Sequence, residues 1–264
     1  MQDDYGNVTL VNVSGIYDEQ PLFIDKLKKG GAGVIDAVSM TGTNGYCDDM
    51  AKENFREMMK EYPTKGIHFI DGGNYHYLTL LWLSLIEEPF DLIVFDNHSD
   101  MQKPAFGDVL SCGGWIRNLV EDSGFKGKVT VVGVDKDNID KEMKELGVKF
   151  ITKQTILKKR GQQYGLENEL IDKCWTGKRP VYISVDKDVL DEKEYKTNWN
   201  QGIMSVDELF AIIEDTFEMR KVIGMDICGE MDEAVNSEFG SIYNEINQAV
   251  NMRYVSYTHL RAHE

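Results

Sequence analysis

Eight short runs rich in β-branched and aromatic residues punctuate this chain, and amphipathic stretches fill the intervals. The runs are VTLVNV (8–13), VIDAV (34–38), IHFI (67–70), DLIVFD (91–96), VTVVGVD (129–135), VKFIT (148–152), VYISVD (181–186) and VIGMDI (222–227). Most lack polar alternation, as expected of parallel strands buried on both faces. Helical patterns occupy 21–29, 48–62, 77–88, 116–123 and 139–147. Ser205 followed by Glu208 is a capping box that opens a further helix at VDELFAIIEDTFEMR, and a last helix is expected over 233–252. The alternation predicts an α/β fold: three layers, doubly wound around a mainly parallel eight-stranded sheet. Right-handed crossovers then gather the carboxyl ends of the strands on one edge, where such folds bind ligands.

No composition break, repeat or Gly/Ser/Pro-rich linker divides the 264 residues, so one domain is expected over 1–254. The segment VSYTHLRAHE (255–264) continues no pattern of the preceding helix and resembles a translated adapter tail. It is set aside as non-native, which leaves His68, His76 and His98 as the histidines to consider. No apolar stretch is long enough to span a membrane, and the N-terminus lacks a signal-peptide core; a soluble, cytoplasmic protein is expected. The four cysteines are scattered without a CxxC pair, which points to reduced, packed thiols. The formal charge of −16 argues against nucleic-acid binding and suits metals or a cationic small molecule. A homo-oligomer is compatible with the composition.

Two acidic clusters follow buried strands. Asp96, His98 and Asp100 lie at alternate positions after LIVF, so an extended backbone points all three to one side. Asp186 and Asp188 end the apolar run VYISV in the same way. Taken singly, each cluster is as readily a helix cap or a solvated turn. Together at one sheet edge they crowd four carboxylates that cannot all stay ionised without a compensating cation. Oxygen-rich ligation with one or two imidazoles favours Mn²⁺, with Fe²⁺ as the alternative, and suffices for two ions about 3.5–4 Å apart.

The two motifs resemble those of the ureohydrolase superfamily of arginase, agmatinase and formimidoylglutamase, whose members carry D-x-H-x-D and S-x-D-x-D around a dinuclear manganese centre. Ser184-Val185-Asp186-Lys187-Asp188 fits the second pattern in full. The resemblance implies an arginase/deacetylase-like fold. It makes Asp96, His98, Asp100, Asp186 and Asp188 metal ligands, with Asp96 and Asp186 bridging.

Three departures qualify it. The family takes another histidine from Gly-Gly-Asp-His, whereas this chain reads Gly72-Gly73-Asn74-Tyr75-His76; strict alignment selects Tyr75, and a one-residue shift selects His76, the sixth ligand expected here. His68, inside IHFI, is expected to be a packed core residue. The loop after DNHSD contains no histidine, so arginase activity itself is not expected; Gly113, Gly114 and Trp115 form either a pocket wall or a plain helix start. The family's late Asp-x-x-Glu becomes GMDICGE, with Gly229 at the glutamate position and Glu230 one residue late. Glu230 is the expected substrate-facing carboxylate, and Asp226 is expected to be structural.

The resemblance implies hydrolysis of a linear C–N bond in a small guanidino or amidino compound by a metal-bridging hydroxide, with Asp100 and Glu230 as catalytic residues. A non-catalytic metal-binding relative is the alternative. A deacetylase-like amidohydrolase is disfavoured because no His-His pair exists.

Overall fold

The computed structural model describes residues 5, 7–104, 107–162, 165–232 and 240–255. In this part of the chain the strands are β1 (Val8–Asn12), β2 (Gly33–Asp36), β3 (Tyr46–Cys47), β4 (Ile67–Phe69), β5 (Asp91–Phe95), β6 (Leu110–Ser111), β7 (Val129–Val132), β8 (Lys149–Ile151), β9 (Val181–Asp186) and β10 (Val222–Cys228). Eight of them form one sheet in the order β2-β1-β4-β10-β9-β5-β7-β8. Every pairing in it is parallel, so the sheet is wholly rather than mainly parallel. Each of the eight apolar runs supplies one of its strands.

The pleat divides the core in two. Ile93 and Phe95 of β5 join one buried cluster, and Leu92 and Val94 join the other. Helices α1 (Pro21–Lys29), α8 (Val206–Met219) and α9 (Gly240–Tyr254) cover the first face through Phe23, Leu209 and Tyr254. Helices α2 (Asp49–Met59), α3 (Leu78–Leu83), α4 (Trp115–Glu121) and α5 (Lys141–Glu145) cover the second through Phe55, Leu81, Trp115 and Met143. Burying a side chain such as Phe55 contributes roughly 1.5–3 kcal/mol, and these two apolar faces hold the helices to the sheet. The result is the expected three-layer, doubly wound architecture.

Local chemistry sets the helix ends. Asp48 caps α2 by accepting from the Ala51 amide at 2.8 Å. The capping box opening α8 is present in full, with the Glu208 amide on the Ser205 hydroxyl and the Ser205 amide on the Glu208 carboxylate. Helix α3 stops at Leu83, short of the expected 88, because the Ser84 hydroxyl bonds back to the Leu81 carbonyl at 2.6 Å. Helices α6 (Lys153–Lys159) and α7 (Gly165–Leu170) did not stand out in the sequence. Helix α6 buries only Ile156, too little for a clear period, although Thr152 is a recognisable cap. Of the helix expected over 233–252, residues 233–239 lie outside those described. So do residues 256–264 of the anomalous tail, while Val255 is buried in the core beneath α9. Among the described residues no helix is long and apolar enough to cross a membrane.

β3 and β6 form a separate antiparallel ribbon. Both strands contribute to the wall of a cleft of about 970 Å³ that opens over the carboxyl ends of β5 and β9.

Candidate metal centre

Register brings the acidic motifs together. β5 and β9 are neighbours, with Phe95 beside Val185, so Asp96 leaves one strand next to Asp186 on the other. On the far side of β9, Cys228 of β10 is the cross-strand partner of Asp186, and Asp226 is the partner of Ser184. His76 arrives from the turn after β4, whose Gly73–Tyr75 segment is a single 3-10 turn. Gly73 is required there: a Cβ would meet the Trp199 ring at 2.8 Å and Asp186 Oδ2 at 3.1 Å.

All six expected ligands converge. His76 Nδ1 lies 2.9 Å from Asp100 Oδ2, 3.3 Å from Asp96 Oδ2 and 3.7 Å from Asp186 Oδ2. His98 Nδ1 lies 2.7 Å from Asp188 Oδ2 and 3.6 Å from Asp96 Oδ1. Asp96 therefore presents one oxygen to each imidazole, the disposition of a bridging carboxylate. The alternative at the glycine turn is resolved geometrically: Tyr75 is packed in the core with its ring centroid 6.5 Å from that of Tyr77, and His76 faces the cluster. Asp100 has φ +47°, an uncommon conformation for a residue with a side chain. It is held by the Trp115 indole N–H on its carboxylate at 2.7 Å and by the Ile116 amide on its carbonyl at 3.0 Å.

Outer contacts orient these groups. The Ser184 hydroxyl donates to Asp226 Oδ1 at 2.6 Å, so its oxygen is left to accept from His76 Nε2 at 3.0 Å. That arrangement directs the Nε2 proton to Ser184 and turns Nδ1 into the cluster. Asp188 Oδ1 accepts the Asn97 amide at 2.9 Å, and Asp186 Oδ1 accepts the Asp188 amide at 2.9 Å.

The electrostatics ask for positive charge. Burial, followed by the neighbouring carboxylates Asp188 and Asp96, raises the Asp186 carboxyl above the usual carboxylate range. Burial and Asp96 raise Asp188 likewise. His98 loses basicity to burial but is held up to about 11 by Asp188 and Asp96. Two buried polar atoms, His76 Nδ1 and Asp96 Oδ2, face the cluster without a hydrogen-bond partner. Orphaned buried donors and acceptors are costly, and a shared cation satisfies both at once. The donor set thus fits a metal site: candidate ligand atoms of His76, Asp96 and Asp100 lie within 4.8 Å of one another, as do those of Asp96, His98 and Asp188, and those of His76, Asp186 and Cys228.

Glu230 is not part of this group. It is fully buried on the opposite side of the sheet end, in contact with Lys187 Nζ and bonded to Gln20 Nε2 at 2.8 Å, Asn251 Nδ2 at 2.6 Å and Tyr195 Oη at 3.2 Å. The expected substrate-facing role is not met in this geometry. The extra residue lets the chain turn at Gly229, φ +90°, and directs the carboxylate inward to Lys187. His68 is a core residue as expected, stacked on Trp82 with centroids 3.9 Å apart and bonded to Tyr182 Oη. Gly113 lines the cleft, whereas Trp115 is buried beneath Asp100. Trp199 and Cys228 were not singled out by sequence reasoning. Trp199 edges onto His98 at 5.6 Å from an irregular loop with no pattern to flag it, and Cys228 meets Asp186, 42 residues away in the sequence, only through the register of two strands.

An all-parallel sheet with a carboxylate–imidazole cluster at its carboxyl edge defines the class: an α/β protein built around a candidate metal centre. The family model for the arginase family matches residues 28–232, and the chain belongs to that family. An uncharacterised protein of Thermotoga maritima is 30% identical over 227 residues, covering 86% of this chain and 80% of the relative. Among solved structures, formimidoylglutamase from Bacillus subtilis matches with a TM-score of 0.67 at 16% identity, covering 95% of this chain and 86% of that one. The agmatine ureohydrolase of Thermoplasma volcanium matches at 0.63 and 18% identity, with coverages of 97% and 94%. The formiminoglutamase of Trypanosoma cruzi, solved with Mn²⁺, matches at 0.64 and 14% identity, with coverages of 93% and 91%. At these identities the structures speak for the shared fold.

Proposed function

We propose that this protein is a metal-dependent hydrolase of a linear C–N bond in a small guanidino or amidino compound. The observation that carries the reading is the convergence of six candidate ligand side chains: Asp96, His98, Asp100, Asp186 and Asp188 line an open cleft, and the buried His76 turns its Nδ1 to within 2.9 Å of Asp100 Oδ2 and 3.3 Å of Asp96 Oδ2. His76, Asp96, Asp100 and Asp186 would hold one ion, and Asp96, His98 and Asp188 the second. Mn²⁺ suits this oxygen-rich set, with Fe²⁺ as the alternative. Two ions so held would supply Lewis-acid polarisation of the substrate and a water of lowered pKa.

The protein's own groups do the rest. Asp100 borders the cleft and is fixed by Trp115, which suits it to hold a proton or the substrate's nitrogen. The exposed rings of Tyr46 and Trp199 flank the opening and favour a planar cation by stacking.

A second reading, a metal-binding protein without turnover, draws on the inward-turned Glu230 and the histidine-free loop after Asp100. One experiment separates the two. Metal content and turnover are measured on Mn²⁺-loaded protein offered guanidino, amidino, ureido and simple amide substrates. Stoichiometric metal with release of urea, ammonia or amine supports the enzyme; stoichiometric metal without turnover of any substrate supports the second reading. Failure to retain metal would sink both.

A further inference from the structure

Cys228 is fully buried at the end of β10, with its Sγ 3.2 Å from Asp186 Oδ2. Its Sγ, His76 Nδ1 or Nε2 and a carboxylate oxygen of Asp186 lie within 4.8 Å of one another. Those separations are compatible with three donors sharing one ion, since metal–sulfur bonds are about 2.3 Å and metal–nitrogen or –oxygen bonds about 2.0–2.2 Å. The sulfur does not stand alone: the neighbouring His76 is 1% exposed, and its Nδ1, which makes no hydrogen bond, is aimed into the same space. β-Sheet register holds Cys228 beside Asp186, and Gly229 clears the approach, because a Cβ there would meet Asp186 Oδ1 at 2.5 Å.

We propose that Cys228 is a sulfur ligand of the inner seat, adding a soft donor to His76, Asp96, Asp100 and Asp186 and biasing that seat toward thiophilic divalent ions. The inference rests on the proposed metal centre. On binding, the S–H bond breaks, the sulfur–metal bond forms from the sulfur lone pair, and the proton leaves to solvent; no electron is transferred. The two seats then differ in kind. The inner is buried and carries sulfur, whereas the outer, with half-buried His98, presents only nitrogen and oxygen. A sulfur ligand raises affinity for Zn²⁺, Cd²⁺ and Co²⁺ relative to Mn²⁺. The competing arrangement keeps the thiol protonated, as a donor that merely steadies Asp186.

The test uses the full chain stripped of metal and titrated with Co²⁺ alone. Expected are ligand-field bands that report binding and a near-ultraviolet sulfur-to-cobalt charge-transfer band. The latter disappears in Cys228→Ser and Cys228→Ala and persists in Cys112→Ser, which alters the cysteine at the cleft wall. Cys228→Ser should weaken Cd²⁺ binding by at least about tenfold, a loss typical of disturbed metal surroundings, while changing Mn²⁺ binding much less. Should the Cys228 variants fail to fold, X-ray absorption of the Zn²⁺-loaded wild-type chain decides, with a sulfur scatterer expected at about 2.3 Å. Ligand-field bands without charge transfer, a band lost in Cys112→Ser instead, or a sulfur-free Zn²⁺ shell would overturn the proposal while leaving the metal centre intact. Absence of Co²⁺ binding altogether would overturn the metal centre and this proposal with it.

Discussion

Ser184 gives its hydroxyl proton to Asp226 at 2.6 Å and receives the Nε2 proton of His76 at 3.0 Å. The pair Ser184–Asp226 therefore dictates which nitrogen of His76 faces the acidic cluster, and it does so from adjacent strands in fixed register. Removing the relay should uncouple the imidazole without touching any ligand atom. Ser184→Ala is expected to weaken Mn²⁺ binding by about 10–100-fold, measured by calorimetric titration, with native circular dichroism.

Asp96 faces both imidazoles, so its loss should be felt in both seats. Asp96→Ala is expected to retain no stoichiometric metal after gel filtration, whereas His98→Ala retains about one equivalent because only the outer seat is disturbed. Elemental analysis of the two proteins checks this. Equal losses from both variants would contradict the two-seat arrangement.

The metal-free protein should be happier with fewer charges. Asp186 and Asp188 have folded-state pKa values raised above the usual carboxylate value of about 4. The unfolded chain ionises them first, so their destabilising contribution is absent below that value and grows as pH rises through it. Asp186→Asn is accordingly expected to stabilise the metal-free form at neutral pH by about 1–3 kcal/mol, and the gain should vanish near pH 4. Urea denaturation with chelator present gives the curve; with Mn²⁺ the order should reverse, because under the proposed function only the wild-type chain keeps the full set of ligands.

Lys187 and Glu230 form an ion pair with both side chains wholly buried. Deleting one charge leaves the other unpaired, and Glu230→Ala should cost about 3–5 kcal/mol in thermal or chemical denaturation. A pairwise Lys187→Met, Glu230→Leu replacement should cost much less. If Glu230 instead served a substrate, Glu230→Gln would abolish activity while leaving stability unchanged.

The eight strands were legible because parallel strands buried on both faces need unbroken apolar runs, and those runs have few competing explanations. DNHSD and SVDKD were legible as a pair because their charges make sense only together. His76 was legible despite the family's different spacing, since it follows a strand and a glycine turn. The inward turn of Glu230 was not legible for a physical reason: one extra residue after a strand reverses the side to which a side chain points, and distance along the sequence does not reveal which side holds Lys187. The helix at 153–159 was missed because it buries only Ile156 and so carries weak periodicity. Trp199 reaches His98 from a loop, where no period exists to read.

The residue between the two aspartates of SVDKD has a life of its own. Asp186 and Asp188 look into the cleft, while Lys187 passes beneath the sheet edge to grip Glu230 and Asn251 of α9, with the Tyr195 ring 4.9 Å from its ammonium. Five residues thus serve as both one wall of the acidic cleft and a tie-rod, one on each side of the same backbone. Asn251 of α9, 64 residues downstream, is moored to the middle of the motif that gathers the charges. Loosening that mooring by trimming α9 would be felt first in the setting of Asp186 and Asp188, far from any residue removed.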